Sequence, residues 1–443
     1  MAMRTYFLFL FVFIVWLCGS NQEVYAASYS VKPGMSIQHV INQAENGATI
    51  FVQKGIYQEH LYITKPISLV GEKGTIIDGN MKGSIITVKS SGVTIRNMEL
   101  RYSGSQEEDA AIQFINSYQS VIEQNIIHHV KNGIKISHGS NHIVRYNQVS
   151  SSPVSLAKRG NGIDLENTNN IVVEHNQITG VQDGVYTERV SHIRIRNNTI
   201  TRSRYAVHFM FSNIGNIDQN SLQNNITGLM IMDSKNLQIR QNIVTNHLDY
   251  RGYGAFLYES AHVVLEDNQW VRNHTGIAFE QADYITARNN IIANNYIGLE
   301  VNADNRHSVF YSNDLIGNLL QIDANQGSLS LNNSKTGNYW DDYNSFDLNG
   351  DGIGETPYQS NRIYKNSYWS FFFESPAIKL WNTVGITAPL QTSTVDPFPF
   401  VQPLHSTTQM NKTDHPIGLW GVVSVALTAI SVYVIYRGRR ISQ

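Results

Sequence analysis

An asparagine recurs along the middle of this 443-residue chain at nearly constant intervals. The steps between successive asparagines are 22, 29, 22, 22, 22, 26, 22 and 23 residues, and the positions are Asn125, Asn147, Asn176, Asn198, Asn220, Asn242, Asn268, Asn290 and Asn313. Between them lie short runs of alternating apolar and polar residues, such as HIRIRNN, which ends at Asn198. Alternation with a period of two indicates strands, and a constant period of this length indicates stacked coils. The repeat therefore predicts an all-β solenoid, a parallel β-helix, in which the asparagines form an inward ladder with a spacing of about 4.8 Å.

The stretch that precedes the first predicted coils fits the same architecture. Ser36 can cap a short helix in which Ile37, Val40, Ile41 and Ala44 share one face, and this helix would cover the open end of the stack. An ordinary surface helix is the alternative. The following runs ATIFVQKGIYQEHLYI and LVGEKGTIIDG resemble the opening coils of right-handed β-helices in carbohydrate-binding and sugar-hydrolase proteins.

Both ends of the chain carry apolar runs that indicate export and membrane attachment. Residues 1–26 are typical of a secretory signal peptide, and the one cysteine, Cys18, lies within it, so we expect no disulfide in the mature chain. The uncharged run 417–436 is followed by three arginines, which predicts a spanning helix with a cytoplasmic tail at 437–443. Residues 27–358 are assigned to the β-helix and 359–416 to an extension. Within that extension, prolines between Pro376 and Pro416 suggest an extended tether.

Each coil also contains a small residue that opens a short apolar strand, at Gly133, Gly162, Gly184, Ala206, Gly228, Gly254, Gly276 and Gly298. Counting from this landmark, alternate residues point into the core and the rows between them point outward. The outward rows place His208 beside Met230 and Met210 beside Met232 on adjacent coils. One imidazole with three thioethers is a soft donor set suited to Cu(I), so these four residues are candidate copper ligands.

An apolar docking surface for another protein is the alternative interpretation of this face. Tyr186, Phe256 and Tyr258 lie in the same outward rows, and an adaptable Met-rich and aromatic surface suits protein contacts. The repeat is also lengthened on either side of the His/Met coils, between Asn147 and Gly162 and between Asn242 and Gly254. Insertions of this kind often build a binding site. They contribute the further docking candidates Lys158, Arg159 and Arg251.

Two other groups of polar residues suggest different chemistry. Asp164, Glu166 and Glu188 share the outward face, and a carboxylate pair about 5 Å apart could serve retaining glycoside hydrolysis. A solvated acidic edge is the competing explanation. Asp347, Asn349 and Asp351 match the opening of a calcium loop, but the twelfth position is Tyr358 instead of glutamate, and a turn-rich segment that closes the stack is the alternative.

The runs RYAVHFMFSN, GLMIMDSKNL, RGNGIDLEN and GNYWDDYNSFDLNGDGIGETPY together resemble the NosD family, accessory proteins for copper-site maturation of nitrous-oxide reductase. The resemblance implies a non-catalytic protein that works with the ATPase and membrane subunits of an ABC transporter. It also implies that copper arrives from a chaperone lipoprotein and passes to nitrous-oxide reductase. The family motif corresponds here to His208, Met210, Met230 and Met232. A polysaccharide-active β-helix enzyme is the alternative function, and a formal charge of −2 without a long basic run argues against a nucleic-acid partner.

Overall fold

The computed structural model describes residues 27–324, 329–359 and 395–405. Strands of three sheets, A, B and C, follow one another around each coil, and every strand of these sheets pairs in parallel with its counterparts in neighbouring coils, which confirms a parallel β-solenoid. The compact unit that holds the solenoid ends at Gln402, and a second unit begins at Pro403.

Three long sheets form the walls of the solenoid. Sheet A contains β1 (Ser28–Val31), β2 (Thr49–Val52), β5 (Ser68–Gly71), β8 (Thr94–Arg96), β11 (Val121–Glu123), β14 (Ile143–Arg145), β17 (Asn169–Glu174), β20 (Ser191–Arg196), β23 (Asn213–Asp218), β26 (Lys235–Arg240), β29 (Ala261–Glu266), β32 (Thr286–Arg288) and β35 (Val309–Tyr311). Sheet B contains β3 (Gly55–Tyr57), β6 (Thr75–Asp78), β9 (Glu99–Arg101), β12 (Ile126–Val130), β15 (Gln148–Ser151), β18 (Gln177–Thr179), β21 (Thr199–Thr201), β24 (Ser221–Gln223), β27 (Ile243–Thr245), β30 (Gln269–Val271), β33 (Ile291–Ala293), β36 (Asp314–Ile316) and β38 (Tyr339–Trp340). Sheet C contains β4 (Leu61–Ile63), β7 (Ile86–Val88), β10 (Ala110–Ile115), β13 (Asn132–Ser137), β16 (Ile163–Glu166), β19 (Asp183–Glu188), β22 (Tyr205–Met210), β25 (Thr227–Met232), β28 (Tyr253–Tyr258), β31 (Thr275–Glu280), β34 (Ile297–Asn302) and β37 (Leu320–Asp323).

The predicted asparagine ladder lies at the turn between sheets A and B and is confirmed. In Asn198, the side-chain oxygen accepts from the backbone N–H and side-chain amide of Asn176, at 2.9 and 3.0 Å. Its own amide donates to Asn220 and to the carbonyl of Val173. The same pattern runs from Asn125 to Asn313 and continues to Asn338, with every member buried. A buried amide without partners is costly, so each coil fixes the register of the next.

A second ladder, at the turn between sheets B and C, was not anticipated. Its members are Asn225, His247, Asn273, Asn295 and Asn318. Each side chain accepts a hydrogen bond from a backbone N–H of the preceding coil. Their steps of 22, 26, 22 and 23 residues repeat those of the first ladder, so the signal was present in the sequence. His247 replaces asparagine at the base of the second insertion, and burial lowers the pKa of its imidazole to about 4.

The single α-helix of the described residues, α1 (Ile37–Gln43), forms at the predicted position. The Ser36 hydroxyl accepts from the backbone N–H of His39 at 3.1 Å, and Ile37, Val40 and Ile41 are buried. The helix packs against β1, β2 and β4. Its role as a cover for the open end of the stack remains a prediction.

The extension after residue 358 differs from the predicted tether in one stretch. Strands β39 (Tyr358–Gln359) and β40 (Val395–Asp396) pair antiparallel, so residues near 395 return to the solenoid. Asp396 is fully buried, and its carboxylate accepts hydrogen bonds from the backbone N–H of Asn338 at 2.7 Å and from the Trp340 indole at 3.0 Å. The proline-containing segment is therefore anchored at this point rather than extended throughout.

The other predictions for the chain ends lie outside the described residues. These are the signal peptide 1–26, the spanning helix 417–436, the cytoplasmic tail 437–443 and the rest of the tether. Within the described ranges, no helix combines the length and apolar character needed to cross a bilayer.

Candidate functional site

The outward rows of sheet C stack as predicted. Parallel register pairs Tyr186 with His208 and His208 with Met230, and it pairs Met210 with Met232 in the neighbouring row. The first row continues to Phe256 and the second to Tyr258. Because adjacent parallel strands lie about 4.8 Å apart, the histidine and three methionines occupy one small area of the sheet. We call these four residues the His/Met cluster.

His208 is oriented by a buried carboxylate. Its Nδ1 lies 2.8 Å from Oδ2 of Asp183, at the start of the preceding strand of sheet C. Its other nitrogen, Nε2, is buried and has no hydrogen-bond partner among the described residues. The rings of Tyr186 and Tyr205 pack edge-on against the imidazole, with centroids 5.2 and 5.0 Å away. The Asp183 contact therefore holds the proton on Nδ1 and leaves a lone pair on Nε2.

Asp183 remains ionised although only 1% of it is exposed. Burial alone would raise the pKa of this carboxyl, but hydrogen bonds from His208 and Arg204 bring the pKa below its ordinary value. Arg204 binds both carboxylate oxygens, with Nε–Oδ1 at 2.8 Å and Nη2–Oδ2 at 2.7 Å. A bidentate ion pair of this kind fixes Asp183 in place, and hence the orientation of the imidazole.

The cluster is less open than an outward position suggests. His208 is 6% exposed and Met230 is 8% exposed, whereas Met210 and Met232 are half-buried. The Tyr186 hydroxyl also lies 3.5 Å from the Met210 sulfur. All four residues occupy the predicted outward rows, yet the side chains of His208 and Met230 are almost fully buried.

This donor set fits a soft, monovalent ion. A metal-binding histidine usually donates one ring N–H to a carboxylate and keeps the other nitrogen free, which is the arrangement of His208. Thioethers favour Cu(I) over hard cations. Among the described residues, no group of three or more His, Cys, Asp and Glu side chains is placed to hold a metal. The soft donor atoms of this area are Nε2 of His208 and the sulfurs of the three methionines.

Two members of the predicted acidic group, Asp164 and Glu166, lie beside a buried lysine. Lys135, only 3% exposed, lies 2.9 Å from Glu166 and 3.9 Å from Asp164. Burial raises the pKa of Asp164 to about 6 despite this lysine, and its Oδ1 has no hydrogen-bond partner among the described residues. The three side chains line an open cleft of about 440 Å³ that reaches Tyr186, His208 and Met210.

Glu188 belongs to a separate set of contacts in the same cleft. It accepts from the Tyr186 hydroxyl at 3.0 Å and pairs with Arg189 at 2.5 Å. Glu166 also accepts from the Ser137 hydroxyl at 3.4 Å. Because Glu166 and Glu188 each have a structural partner, their contacts are those of ion pairs on the sheet and do not single out an acid and a nucleophile.

The docking candidates divide by exposure. Tyr186, Phe256 and Tyr258 are half-buried along sheet C. The insertions contribute exposed Lys158 and Arg251 and half-buried Arg159. The first insertion contains a short 3₁₀ helix (Leu156–Lys158), and the Lys131 ammonium holds its end by donating to the carbonyls of Lys158 and Arg159.

The second insertion presents a more apolar surface than the first. Leu248 and Tyr250 are 72% and 74% exposed, and the Arg251 guanidinium lies over the Tyr250 ring at 5.3 Å. Large exposed apolar side chains next to a cation are common at protein interfaces.

The predicted calcium loop is organised by hydrogen bonds to its own backbone. Asp347 accepts from the N–H groups of Gly350 and Gly352, at 2.7 and 2.9 Å, and Asp351 accepts from Ile353 at 2.8 Å. Asn349 bonds to Asp351 through its amide. These contacts account for the Asp/Asn spacing as a series of turns, and calcium binding stays a prediction.

Sequence reasoning missed Asp183 and Arg204. The residue before the small landmark is Asn, Tyr, Thr or Ile in the other coils of the repeat, and aspartate only before Gly184. Arg204 stands in the corresponding turn of the next coil. An aspartate and an arginine in neighbouring turns were therefore the available signal for this ion pair. Only the register showed that both reach His208.

Comparison with known proteins agrees with this architecture. Residues 43–178 match the family model "Right handed beta helix region". An exopolygalacturonase of family 28 from Yersinia enterocolitica has a TM-score of 0.52 at 10% identity, over 69% of this chain and 77% of that one. The catalytic domain of a GH87 α-1,3-glucanase has a TM-score of 0.51 at 10% identity, over 72% and 70%. Likeness at this identity establishes the fold alone.

The fold thus places this protein in the class of right-handed parallel β-helix proteins. Residues 145–345, which include the whole His/Met cluster, match the family model "Periplasmic copper-binding protein (NosD)". The "Probable ABC transporter binding protein NosD" of Pseudomonas aeruginosa is 27% identical over 76% of this chain and 84% of its own length. Its namesake from Stutzerimonas stutzeri is 24% identical over 76% and 82%. Residues 145–345 and these curated relatives thus support the resemblance to the NosD family that the sequence motifs indicated.

Proposed function

We propose that this protein is an extracytoplasmic accessory protein that binds Cu(I) transiently and assists copper-site maturation of nitrous-oxide reductase. Its partners would be the ATPase and membrane subunits of an ABC transporter and a copper-chaperone lipoprotein. Similarity to NosD proteins supports the accessory role, since these relatives are named as transporter binding proteins. No catalytic role is proposed for Asp164, Glu166 or Glu188.

One observation carries the copper part of the proposal. His208 has Nδ1 held by Asp183 while Nε2 is buried without a hydrogen-bond partner, and methionine sulfurs occupy the next positions along both rows. Leaving a buried ring nitrogen unpaired costs about 1–3 kcal/mol, unless a ligand uses its lone pair. A soft cation bound by Nε2 and thioether sulfurs would remove that cost.

The position of the methionines also suits transfer rather than storage. Met210 and Met232 are partly exposed, whereas His208 and Met230 are almost fully buried. Copper arriving from a partner would meet the outer thioethers first and the oriented imidazole second. Neutral thioethers bind Cu(I) without the charge of a thiolate, so exchange with a partner's ligands remains accessible.

A double substitution tests ligation. Met210→Leu with Met232→Leu keeps apolar volume and removes two sulfurs, so we expect Cu(I) affinity in a competitive titration to fall while the melting temperature stays nearly constant. Met81→Leu is the matched control, because Met81 is 73% exposed and lies outside sheet C. The ligation proposal is overturned if the double variant binds Cu(I) as tightly as the parent chain.

The same positions separate ligation from partner docking. Glutamate at 210 and 232 would disrupt an apolar contact, whereas leucine would preserve it. If copper loading of the reductase in cells is lost with glutamate but normal with leucine, the face serves docking by Tyr186, Phe256 and Tyr258. If neither pair of substitutions affects loading, sheet C is not the working surface.

Membrane attachment is a separate part of the proposal. The apolar run 417–436 with the arginines that follow it would anchor the protein and leave the solenoid outside. Alkaline phosphatase fused after Gln443 should be inactive, whereas the same enzyme fused after His405 should be active. Activity at both positions would contradict the anchor.

A further inference from the structure

A pair of adjacent histidines lies on sheet B, away from the His/Met cluster. His128 ends the outward row of β12, and His129 follows at the corner of the coil with φ +55°. This left-handed conformation turns the second side chain outward next to the first instead of into the core. The two Nδ1 atoms are 2.6 Å apart, and the rings are nearly perpendicular at 77°.

A carboxylate fixes the tautomer of the first histidine. Glu99, on the neighbouring strand β9, places Oε1 3.0 Å from His128 Nε2. The ring therefore holds its proton on Nε2 and presents a lone pair on Nδ1, towards His129. Arg101 lies 3.7 Å from the same carboxylate oxygen and helps to hold Glu99 in place.

We propose that His128 and His129 form a second metal site, which binds a borderline divalent cation, Cu(II) most tightly, through both Nδ1 atoms. Glu99 acts as a positioning residue, because it bonds to the opposite nitrogen of the ligand ring. Two nitrogens about 2.0–2.1 Å from one ion lie roughly 3 Å apart, so a small rotation from the observed 2.6 Å opens the site. Both imidazoles are half-buried and reachable from solvent, which supplies the remaining ligands.

The chemistry of this pair differs from that of the His/Met cluster. Two imidazoles without thioethers favour Cu(II), Ni(II) and Zn(II), and the usual order of stability places Cu(II) first. The site does not depend on the proposed function, since it uses none of the same side chains. It would give the protein a place to bind oxidised copper on a different sheet.

The test is a titration of the full chain in detergent with Cu(II) alone, followed by electron paramagnetic resonance. We expect a signal with hyperfine coupling to two imidazole nitrogens. His128→Gln and His129→Asn should each lower Cu(II) affinity at least about tenfold, because even a ligand's hydrogen-bond partner contributes about 10- to 100-fold. Asparagine suits position 129, since Asn224 and Asn246 occupy equivalent corners with φ +55° and +63°.

Two further variants make the result specific. His175→Asn is the matched control, because His175 is also a corner histidine with positive φ and stacks on Tyr146 as His129 lies against Tyr102. Glu99→Gln should weaken Cu(II) binding while preserving the two-nitrogen signal, which a purely structural role would not predict. The proposal is overturned if Cu(II) affinity and spectrum are unchanged in both histidine variants, or if His175→Asn causes an equal loss. The Met210→Leu, Met232→Leu variant should bind Cu(II) at His128 and His129 as tightly as the parent chain does. A failure of this proposal can therefore be told apart from a failure of the Cu(I) proposal.

Discussion

Oδ2 of Asp183 lies 2.8 Å from Nδ1 of His208, across two neighbouring strands of sheet C. We expect Asp183→Asn to weaken Cu(I) binding by about 10- to 100-fold, because the amide no longer fixes the imidazole tautomer and leaves Arg204 without its carboxylate. Competitive titration measures the affinity. Glu266→Gln, which removes a carboxylate paired with Arg240 and Arg288 on sheet A, should leave it unchanged. Equal affinities in the Asp183 variant and the parent would show that the contact does not serve the metal.

The asparagine ladder should dominate local stability. Asn198→Ala removes the bonds to Val173 and Asn220 and leaves buried groups of Asn176 unpaired, so we expect a loss of about 1–3 kcal/mol in the free energy of unfolding. Chemical denaturation measures it. Asn216→Ala, at an outward position of β23, should cost much less. Similar losses at both positions would argue against the ladder as the stabilising feature.

The carboxylate of Asp396 should act as the terminal acceptor of that ladder. Asp396→Ala leaves the N–H of Asn338 and the Trp340 indole without their acceptor, so we expect a loss of about 1–3 kcal/mol, measured by denaturation. Val395→Ala, at an exposed residue of the same strand, is the control. Unchanged stability in the Asp396 variant would mean that the returning segment contributes little to closing the stack.

Stability should depend on pH through Asp164. Its pKa is raised to about 6 in the fold from the ordinary 3.8, so the folded state holds the proton longer and stability falls as pH rises between these values. Asp164→Asn cannot ionise, and its stability relative to the parent should therefore increase by on the order of 1–3 kcal/mol between pH 4 and pH 7. Denaturation at both pH values checks this. Asp304→Asn, a substitution at an exposed residue, should show no such trend. If Asp164→Asn also shows no trend with pH, the Asp164 carboxyl is not desolvated in the fold.

Periodicity made much of the architecture predictable. The 22-residue steps place each asparagine of the first ladder, and the two-residue alternation assigns His208, Met210, Met230 and Met232 to stacked outward rows, as the register confirms. Both results follow from local rules, since a strand alternates its side chains and equal coils stack in register. Even the second ladder was present as a recurring spacing.

The tertiary structure decided contacts that no repeat encodes. Asp183 reaches His208 across a strand boundary, Lys135 gathers carboxylates from neighbouring coils, and Asp396 returns from 58 residues beyond Asn338 to end the ladder. The tertiary structure also decided the exposure of His208. The Tyr186 and Tyr205 rings cover its imidazole, which the alternation alone assigns to an outward row. Sequence periodicity determines which face a side chain takes. Which atoms meet on that face depends on side-chain length, charge and coil-to-coil stacking, and these are fixed only when the whole solenoid is assembled.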